Sequence, residues 1–442
     1  MDAREVALLT LHTCERQGGW SDAVLKKQLA QAGLDRRDAA LATQICFGVQ
    51  QNRLLLDYYL SRFSNVPLKR MESKVVQALR IGLYQMLFLS RIPHSAAVNC
   101  AVEMTRAHCK NARAAGLVNA VLRNIERSMD RLPVIDNSDP AAYLSTLYSH
   151  PKWLVEEWIA RLGQEQAARL LAADNAGAPV IAQVNTCRVS APALLAQLSE
   201  AGVDARLHPW LKDCLILRET GDLEGLETFA QGYFYIQDAA SRLAVLAADA
   251  RPQMRVLDAC AAPGGKSFAL AIAMQDSGEL ISCDLHPHKK KLMQAGAARL
   301  GLSCMQPQTA DATVFRPEWE SAFDLVLADA PCSGLGVIRK KPDIRYKAPE
   351  PLAQLPEVQG RILDNLARYV KPGGVLLYST CTLRQQENED VVRAFLSRRT
   401  DYTAEAFTLP DPVGAVGEGM VTLWPHVHDT DGFFIAKLRR QS

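Results

Sequence analysis

The spacing of apolar residues divides the chain into a helical part and a later part that mixes strands with helices. Over the first 131 residues the apolar positions recur with helical spacing, and no alternation typical of a strand interrupts them. The segment 75–89 is apolar over most of its length, which predicts a buried helix that ends before Pro93. Residues 1–135 are therefore predicted to form an all-α bundle. Its clearest helices are expected at residues 39–49, 75–89, 96–109 and 114–127.

A stretch rich in turn-forming residues, 132–140, separates this bundle from a smaller region of mixed pattern. Residues 141–235 combine helical and strand patterns, which predicts a small α+β linker domain. The expected helices are residues 151–162 and 191–201, and the expected strands are residues 180–186, 214–217 and 233–236.

From residue 236 to the end, short apolar segments alternate with helical ones. This alternation favours a parallel sheet with helices on both faces, the architecture of an open α/β domain. The expected strands are residues 255–258, 280–284, 303–308, 323–329 and 374–380.

The composition narrows the class of protein. The 442 residues are 48% hydrophobic and 22% charged, which is typical of a soluble globular chain. No apolar stretch approaches the ~20 residues of a membrane helix, and the acidic start of the chain lacks the features of a signal peptide. The eleven cysteines are scattered, which favours a reducing, cytoplasmic location over a disulfide framework. No Cys-x-x-Cys pair is present, and two His-x-His pairs lack further ligands nearby, so no metal is expected.

Charge is distributed unevenly along the chain. Residues 1–131 hold 19 Lys and Arg against 11 Asp and Glu, whereas residues 132–442 hold 31 against 37. A basic N-terminal region on a mildly acidic chain suggests a polyanionic partner, although an ordinary solvated surface is also compatible with this excess.

Two cysteines follow predicted strands directly. Cys332 lies in Asp-Ala-Pro-Cys-Ser-Gly at residues 329–334, and Cys381 lies in Ser-Thr-Cys-Thr at residues 379–382. Ligands of open α/β sheets bind at the carboxyl ends of the strands. Two thiols there, one of them near the carboxylate of Asp329, suit a reaction that needs a nucleophile and a second group that handles a proton.

A glycine-containing loop at residues 258–267 joins the first predicted core strand to the following helix. Gly265-Lys266-Ser267 matches the end of a phosphate-binding P-loop, but Cys260 stands where its first glycine belongs. The spacing of a dinucleotide-binding loop is also missing. The third interpretation is a site for S-adenosylmethionine.

Acidic residues at the ends of successive strands favour this third interpretation. Asp258, Asp284, Asp311 and Asp329 end or follow four of the predicted strands. Carboxylates accept hydrogen bonds from hydroxyls and amines and repel phosphates, so they suit a cationic nucleoside cofactor without phosphate. The residues expected to bind the cofactor are Cys260, Ala261, Ala262, Pro263, Gly264, Gly265, Lys266, Asp284, Asp311 and Asp329.

The glycine loop and the two cysteine motifs together resemble the RNA cytosine-C5 methyltransferases. The late segment 431–437 is similar to the closing strand of that family, and residues 337–346 are similar to the segment after its first cysteine motif. Residues 93–103 and 116–123 resemble the NusB-type RNA-binding helical domain. The pairing of the two domains resembles a bacterial group, Sun/Fmu or RsmB, that methylates one cytosine of 16S ribosomal RNA.

The resemblance implies a Rossmann-like catalytic core, S-adenosylmethionine as cofactor, and small-subunit ribosomal RNA as partner, without an obligate protein partner. It also implies that Cys381 attacks C6 of the cytosine and that Cys332 serves the release step. The residues themselves do not distinguish these two roles. Asp329 is placed to contact the base or the cofactor, and Lys266 to lower a cysteine pKa, to bind substrate, or only to close the turn.

A basic segment follows the first cysteine motif. Residues 339–347 carry five cations and one acid, and their closeness to Cys332 favours a phosphate-binding role over a merely solvated loop. The predicted RNA-binding residues are Arg339, Lys340, Lys341 and Arg345.

A second hypothesis is an RNA-binding assembly or antitermination-type factor in which the methyltransferase fold is only a scaffold. Two intact cysteine motifs argue against it, because a retired active site has no need of two thiols.

Overall fold

The computed structural model describes residues 1–18, 20–218 and 221–442. It contains two compact units. The first comprises Met1–Ala176 together with Ile338–Lys347, and the second comprises Gly177–Val337 together with Ala348–Ser442. The whole basic segment, residues 339–347, therefore belongs to the first unit.

The described residues of the first unit form α-helices and short 3₁₀ turns. Its central helix α5 is buried over nearly all of its turns, as its apolar sequence predicts. Gly48 lets α3 approach α5 closely, since a Cβ there would lie 2.0 Å from the ring of Tyr84. The helices are α1 (Ala3–Gln17), α2 (Ser21–Ala32), α3 (Arg36–Gln51), α4 (Arg53–Phe63), α5 (Ser73–Phe88), α6 (His94–His108), α7 (Ala114–Glu126), α8 (Pro140–Tyr148), α9 (Lys152–Leu162) and α10 (Gln164–Asp174).

The second unit begins with a four-stranded antiparallel sheet of order β2-β3-β1-β4. Leu194 and Leu198 of α11 pack against Leu215 and Phe234 of this sheet in one apolar cluster. The elements are β1 (Val180–Val184), α11 (Ala191–Glu200), β2 (Asp204–Leu207), β3 (Cys214–Arg218), α12 (Glu227–Ala230) and β4 (Phe234–Ile236).

The rest of the second unit is an eight-stranded sheet of order β10-β14-β9-β8-β5-β6-β7, with β13 paired to β14. Strands β5 to β9 are parallel, and β14 is antiparallel to β9. The helices are α13 (Ala239–Ala248), α14 (Gly265–Ala273), α15 (Pro287–Leu300), α16 (Leu355–Leu366), α17 (Glu389–Arg398) and α18 (Pro425–His428). The strands are β5 (Arg255–Asp258), β6 (Glu279–Asp284), β7 (Met305–Thr309), β8 (Phe323–Asp329), β9 (Val370–Thr380), β10 (Tyr402–Ala404), β11 (Phe407–Thr408), β12 (Ala415–Val416), β13 (Met420–Leu423) and β14 (Phe433–Arg440).

The order of the parallel strands reverses between β5 and β8. From β5 the chain proceeds outward through β6 and β7, and it then returns to place β8 and β9 on the other side of β5. A crevice opens at such a reversal, outside the carboxyl ends of the strands. The glycine loop after β5 and the Cys332 motif after β8 both lie at this edge.

The predicted fold class is confirmed: a helical bundle, a small α+β region and an α/β core with a largely parallel sheet. All five predicted core strands are present, and the boundary between the two units falls at residues 176 and 177, within the region 141–235. The bounds proposed for the three domains stay predictions. Among the described residues, no helix combines the length and apolarity needed to cross a membrane.

Candidate active site

Cys332 and Cys381 lie together at the carboxyl edge of the core sheet. Strands β8 and β9 are parallel neighbours with Asp329 opposite Ser379, so the residues that follow each strand emerge side by side. The two Sγ atoms are 3.3 Å apart. Residues distant in the sequence thus form one pair of thiols, close enough to act on the same base.

Hydrogen bonds hold the two cysteine loops against each other. The hydroxyl groups of Ser333 and Thr382, each the residue after a cysteine, lie 2.7 Å apart. The backbone N–H of Gly336 donates to the carbonyl of Cys381 at 2.9 Å. Gly336 must be glycine for this approach, since a Cβ there would lie 1.9 Å from the carbonyl oxygen of Gly432.

Lys266 and Asp329 form an ion pair beside the thiols. Lys266 lies in the first turn of α14, and its Nζ donates to Oδ2 of Asp329 at 2.7 Å. The other carboxylate oxygen accepts from the hydroxyl of Ser379 at 2.9 Å. The Lys266 side chain is 10% exposed and that of Asp329 is 28% exposed, so the carboxylate keeps access to an incoming ligand.

The pKa values of the two thiols are shifted in opposite directions. The hydrogen bond from Cys332 lowers the pKa of Cys381 below its usual value, and the charge of Lys266 acts in the same direction against burial and nearby carboxylates. The same hydrogen bond, with burial and the charges of Glu387 and Asp329, raises the pKa of Cys332 well above its usual value. When the pair loses a proton, the negative charge is therefore favoured on Cys381, and Cys332 keeps its proton.

Two other groups near the pair are uncharged or partly protonated. Burial and the carboxylates of Asp258, Asp329 and Asp284 raise the pKa of Cys260 well above its usual value, so Cys260 is a neutral thiol. Asp258 is fully buried and accepts from the hydroxyl of Ser267 at 2.7 Å. Burial, together with the charge of Asp329, raises its pKa to about 7. Asp258 therefore supports the loop from inside the domain.

A cavity of about 300 Å³ lies next to the ion pair. Five of the residues predicted to bind a cofactor line it, and they are Cys260, Ala262, Asp284, Asp311 and Asp329. The other predicted residues, Ala261, Pro263, Gly264, Gly265 and Lys266, are not among the residues that line this cavity. Gly264 has φ 115° and caps α14, so it serves the turn that presents its neighbours.

The two acids farther from the thiols are held by local hydrogen bonds. Asp284, at the end of β6, accepts from the backbone N–H of His286 at 2.9 Å and lies 3.5 Å from Nζ of Lys289. Asp311 accepts from the hydroxyl and the backbone N–H of Thr313, which lowers the pKa of its carboxyl group. Both groups can accept hydrogen bonds from hydroxyls or amines in the cavity.

Several cavity residues were absent from the sequence prediction. Leu285 follows Asp284 directly and is 57% exposed. An apolar residue directly after an acid at a strand end is a pattern from which its place in the cavity could have been predicted. Val358 and Ile362 belong to α16 and form the apolar wall. Their pattern is that of ordinary core residues, so the sequence carries no signal for their role.

The prediction that Arg345 binds RNA is wrong. Its side chain is fully buried in the first unit. Its guanidinium group donates to the carbonyls of Gln51, Tyr148 and Ser149 at 3.1–3.3 Å and to Oδ1 of Asn175 at 2.8 Å. Arg345 thus satisfies carbonyls at helix ends inside the helical unit, and its burial keeps the guanidinium group away from a phosphate on the surface.

The other cations of the basic segment differ in exposure. Arg339 is buried, with 7% of its surface exposed, so it does not belong to an exposed strip either. Lys340 is half-buried, and Lys341 is 53% exposed with its Nζ 3.9 Å from a carboxylate oxygen of Asp22. Lys341 is the residue of this set that best fits the predicted contact with RNA.

Three family profiles match the chain. Residues 1–127 match the NusB family, residues 150–224 match the ferredoxin-like domain of the RsmF/B-like methyltransferases, and residues 245–439 match the 16S rRNA methyltransferase RsmB/F. The matches follow one another in the order of the helical, α+β and α/β parts of the fold.

Two curated relatives and one solved structure are similar to the chain over nearly its whole length. The chain is 38% identical to the "Probable ribosomal RNA small subunit methyltransferase B" of Bacillus subtilis, over 99% of this chain and 98% of the relative. It is 34% identical to the "Ribosomal RNA small subunit methyltransferase B" of Pseudomonas putida, over 92% and 91% of the two chains. The crystal structure of PH0851 superposes with a TM-score of 0.83 at 25% identity, over 100% and 99% of the two chains. The chain belongs to the RsmB/F family of S-adenosylmethionine-dependent 16S rRNA methyltransferases.

Proposed function

We propose that this enzyme transfers the methyl group of S-adenosylmethionine to C5 of one cytosine in 16S rRNA, through a covalent bond between Cys381 and C6 of the base. The observation that carries the proposal is the 3.3 Å separation of the Cys381 and Cys332 sulfurs beside the Lys266–Asp329 ion pair. C5 of cytosine is too weak a nucleophile to accept a methyl group directly. A thiolate that adds to C6 makes the ring an enamine, and this activates C5.

Cys381 is the attacking group in this proposal, because its lowered pKa favours the thiolate. Its sulfur would form a bond to C6, and the electron pair displaced toward C5 would form the new bond to the methyl carbon. The bond between that carbon and the sulfonium sulfur of the donor would break, and its electron pair would stay on the donor sulfur. Once Cys381 is bonded to C6, its sulfur no longer carries the charge that raises the pKa of Cys332. Cys332 then loses its own proton to water and takes the proton from C5. The electron pair of that C–H bond restores the C5–C6 double bond and expels the thiolate of Cys381.

Asp329 and Lys266 assist the addition of the thiolate. The partly exposed carboxylate of Asp329 is suited to accept a hydrogen bond from the exocyclic amine of cytosine, and a proton shared between Asp329 and N3 would offset the negative charge that develops on the ring during the addition. Burial lowers the pKa of Lys266, but the charge of Asp329 more than offsets this, so the ammonium stays protonated. Lys266 then orients Asp329 and favours the thiolate of Cys381.

The cavity beside Asp329 fits the cofactor. Carboxylates at two strand ends, Asp284 and Asp311, and the apolar wall of α16 suit a nucleoside with hydroxyls, an amine and a flat base. When bound, S-adenosylmethionine supplies an electrophilic methyl group. Cys260 and Ala262 contribute a neutral surface on the side of the glycine loop.

The target cytosine has to leave its stack to reach buried thiols. The basic N-terminal region, with 19 cations against 11 acids in residues 1–131, supplies attraction for the rRNA backbone. All eleven cysteines are free, which suits a reducing cytoplasm.

The proposal is tested by incubating the enzyme with methyl-labelled S-adenosylmethionine and 16S rRNA, followed by digestion to nucleosides. We expect label in 5-methylcytidine alone. Label in another nucleoside, or labelled rRNA from a Cys381→Ala variant, would contradict the proposed chemistry. Failure of the folded enzyme to label rRNA in any form would favour a non-catalytic RNA-binding factor.

A further inference from the structure

Glu387 is a fully buried carboxylate that the proposed reaction does not use. It ends the short 3₁₀ turn Gln385–Glu387, six residues after Cys381, and its side chain is 0% exposed. Burial of a carboxylate costs folding free energy unless the group is hydrogen-bonded. The hydrogen-bond partners of Glu387 therefore indicate its role. Arg384 lies close enough to balance the charge, with Nη1 3.7 Å from Oε1.

The contacts of Glu387 enclose Cys332. Its Oε2 accepts from the backbone N–H of Ser333 at 2.8 Å and from Nε2 of Gln359 at 3.1 Å. The same amide of Gln359 donates to the carbonyl of Pro331 at 3.0 Å. Glu387 and Gln359 together therefore hold the residues immediately before and after Cys332.

Glu387 is itself hydrogen-bonded to β9, the strand that leads to Cys381. The hydroxyl of Tyr378, in β9, donates to the backbone carbonyl of Glu387 at 2.7 Å. Through its carboxylate and its backbone carbonyl, Glu387 thus links the peptide around Cys332 to this strand. Hydrogen bonds of this kind between a charged acceptor and a backbone N–H are short and directional.

We propose that Glu387 is the positioning residue for Cys332, and that Gln359 orients its carboxylate. This inference rests on the proposed function, in which Cys332 takes the C5 proton. Glu387 fixes the Cys332 loop so that its sulfur stays next to the base already attached to Cys381. Loss of this support leaves addition and methyl transfer in place and slows release of the methylated RNA.

The test compares the lifetime of the covalent protein–RNA adduct among full-length variants, in a single turnover with methyl-labelled cofactor and 16S rRNA. Glu387→Ala is expected to lengthen the adduct lifetime at least tenfold, while methyl transfer to the attached RNA continues. Gln359→Leu, which keeps the volume and removes the amide donor, is expected to lengthen it less. Glu387→Gln retains an acceptor for Ser333 and is expected to restore part of the release rate.

The controls distinguish a loss of Cys332 positioning from a general loss of folding. Glu405, a partly buried carboxylate that pairs with Lys437 and Arg439 away from the cysteines, is the matched position, and Glu405→Gln should release RNA at the wild-type rate. Formation of the adduct itself reports that a variant is folded and that Cys381 is active. Gln359→Leu and Glu387→Gln keep the test valid if Glu387→Ala does not fold.

Two results oppose the account in different ways. If Cys332→Ala traps the adduct but Gln359→Leu and both Glu387 variants release RNA at the wild-type rate, the positioning role is wrong. If Cys332→Ala traps no adduct, the division of roles between the cysteines is wrong, and the role of Glu387 falls with it.

Discussion

The sulfurs of Cys332 and Cys381 lie 3.3 Å apart although the residues are 49 positions apart in the chain. Their hydrogen bond makes the pair unequal, since it lowers the pKa of Cys381 and raises that of Cys332. In the proposed reaction this difference favours Cys381 as the attacking thiol, while Cys332 keeps its proton until Cys381 has bonded to the base.

The pH dependence of adduct formation tests this inequality. The rate should rise with pH through the pKa of Cys381 and then level off, because the thiolate is the nucleophile. Cys332→Ala removes the hydrogen-bond donor and should move the rising limb to higher pH, with about tenfold less thiolate at neutral pH for each unit of pKa. Cys332→Ser keeps an O–H donor and should move the limb less. If the rate of adduct formation rises at the same pH in the two variants, the hydrogen-bond donor at position 332 does not set the pKa of Cys381.

The Lys266–Asp329 ion pair is predicted to accelerate addition. Lys266→Met removes the cation that orients Asp329 and favours the Cys381 thiolate, so single-turnover adduct formation should slow by about tenfold or more. The matched control is Lys371→Met, which breaks a similar pair with Asp324 at the opposite end of β8. Equal losses in both variants would mean that the effect comes from stability alone.

Asp284 is predicted to bind the cofactor. Asp284→Ala should raise the Kd for S-adenosylmethionine about tenfold or more, the effect of losing roughly 1.4 kcal/mol, and leave the affinity for rRNA unchanged. Isothermal titration calorimetry measures both. Glu279→Ala removes a carboxylate from the start of the same strand and serves as control. An unchanged cofactor Kd in the Asp284 variant would exclude this assignment.

Arg345 is predicted to stabilise the folded protein. Its loss leaves several buried carbonyls without a donor, and each unsatisfied group costs about 1–3 kcal/mol. Arg345→Ala should therefore lower the Tm by several degrees, whereas Lys341→Ala should leave the Tm unchanged and weaken rRNA binding. An Arg345→Ala protein with the wild-type Tm and reduced affinity for rRNA would reinstate the original RNA-binding prediction.

Much of the α/β core could be predicted because its strands are short apolar segments that end in polar motifs. Strands β5 and β8 have the predicted bounds, and each ends at an aspartate. Strand β2 is absent from the prediction because it is only four residues long and three of them are exposed, although Ala205 and Leu207 alternate with two charged residues. Its place in the sheet depends on pairing with β3, which local sequence does not encode.

The site was predictable to a similar degree. Motifs at strand ends identify the two cysteines, Asp329 and Asp284. The environment of Arg345 was not predictable, because its partners come from three separate segments, around Gln51, Ser149 and Asn175. A run of cations in sequence looks like an exposed strip until tertiary packing buries some of them.

The most direct test of the central claim is to incubate 16S rRNA and S-adenosylmethionine with the Cys332→Ala and Cys381→Ala variants and to resolve the products by denaturing gel electrophoresis. The covalent mechanism predicts that Cys332→Ala accumulates a slowly migrating protein–RNA adduct and that Cys381→Ala forms none and methylates no rRNA. An adduct in the Cys381→Ala variant, or rRNA methylation by it, contradicts the account.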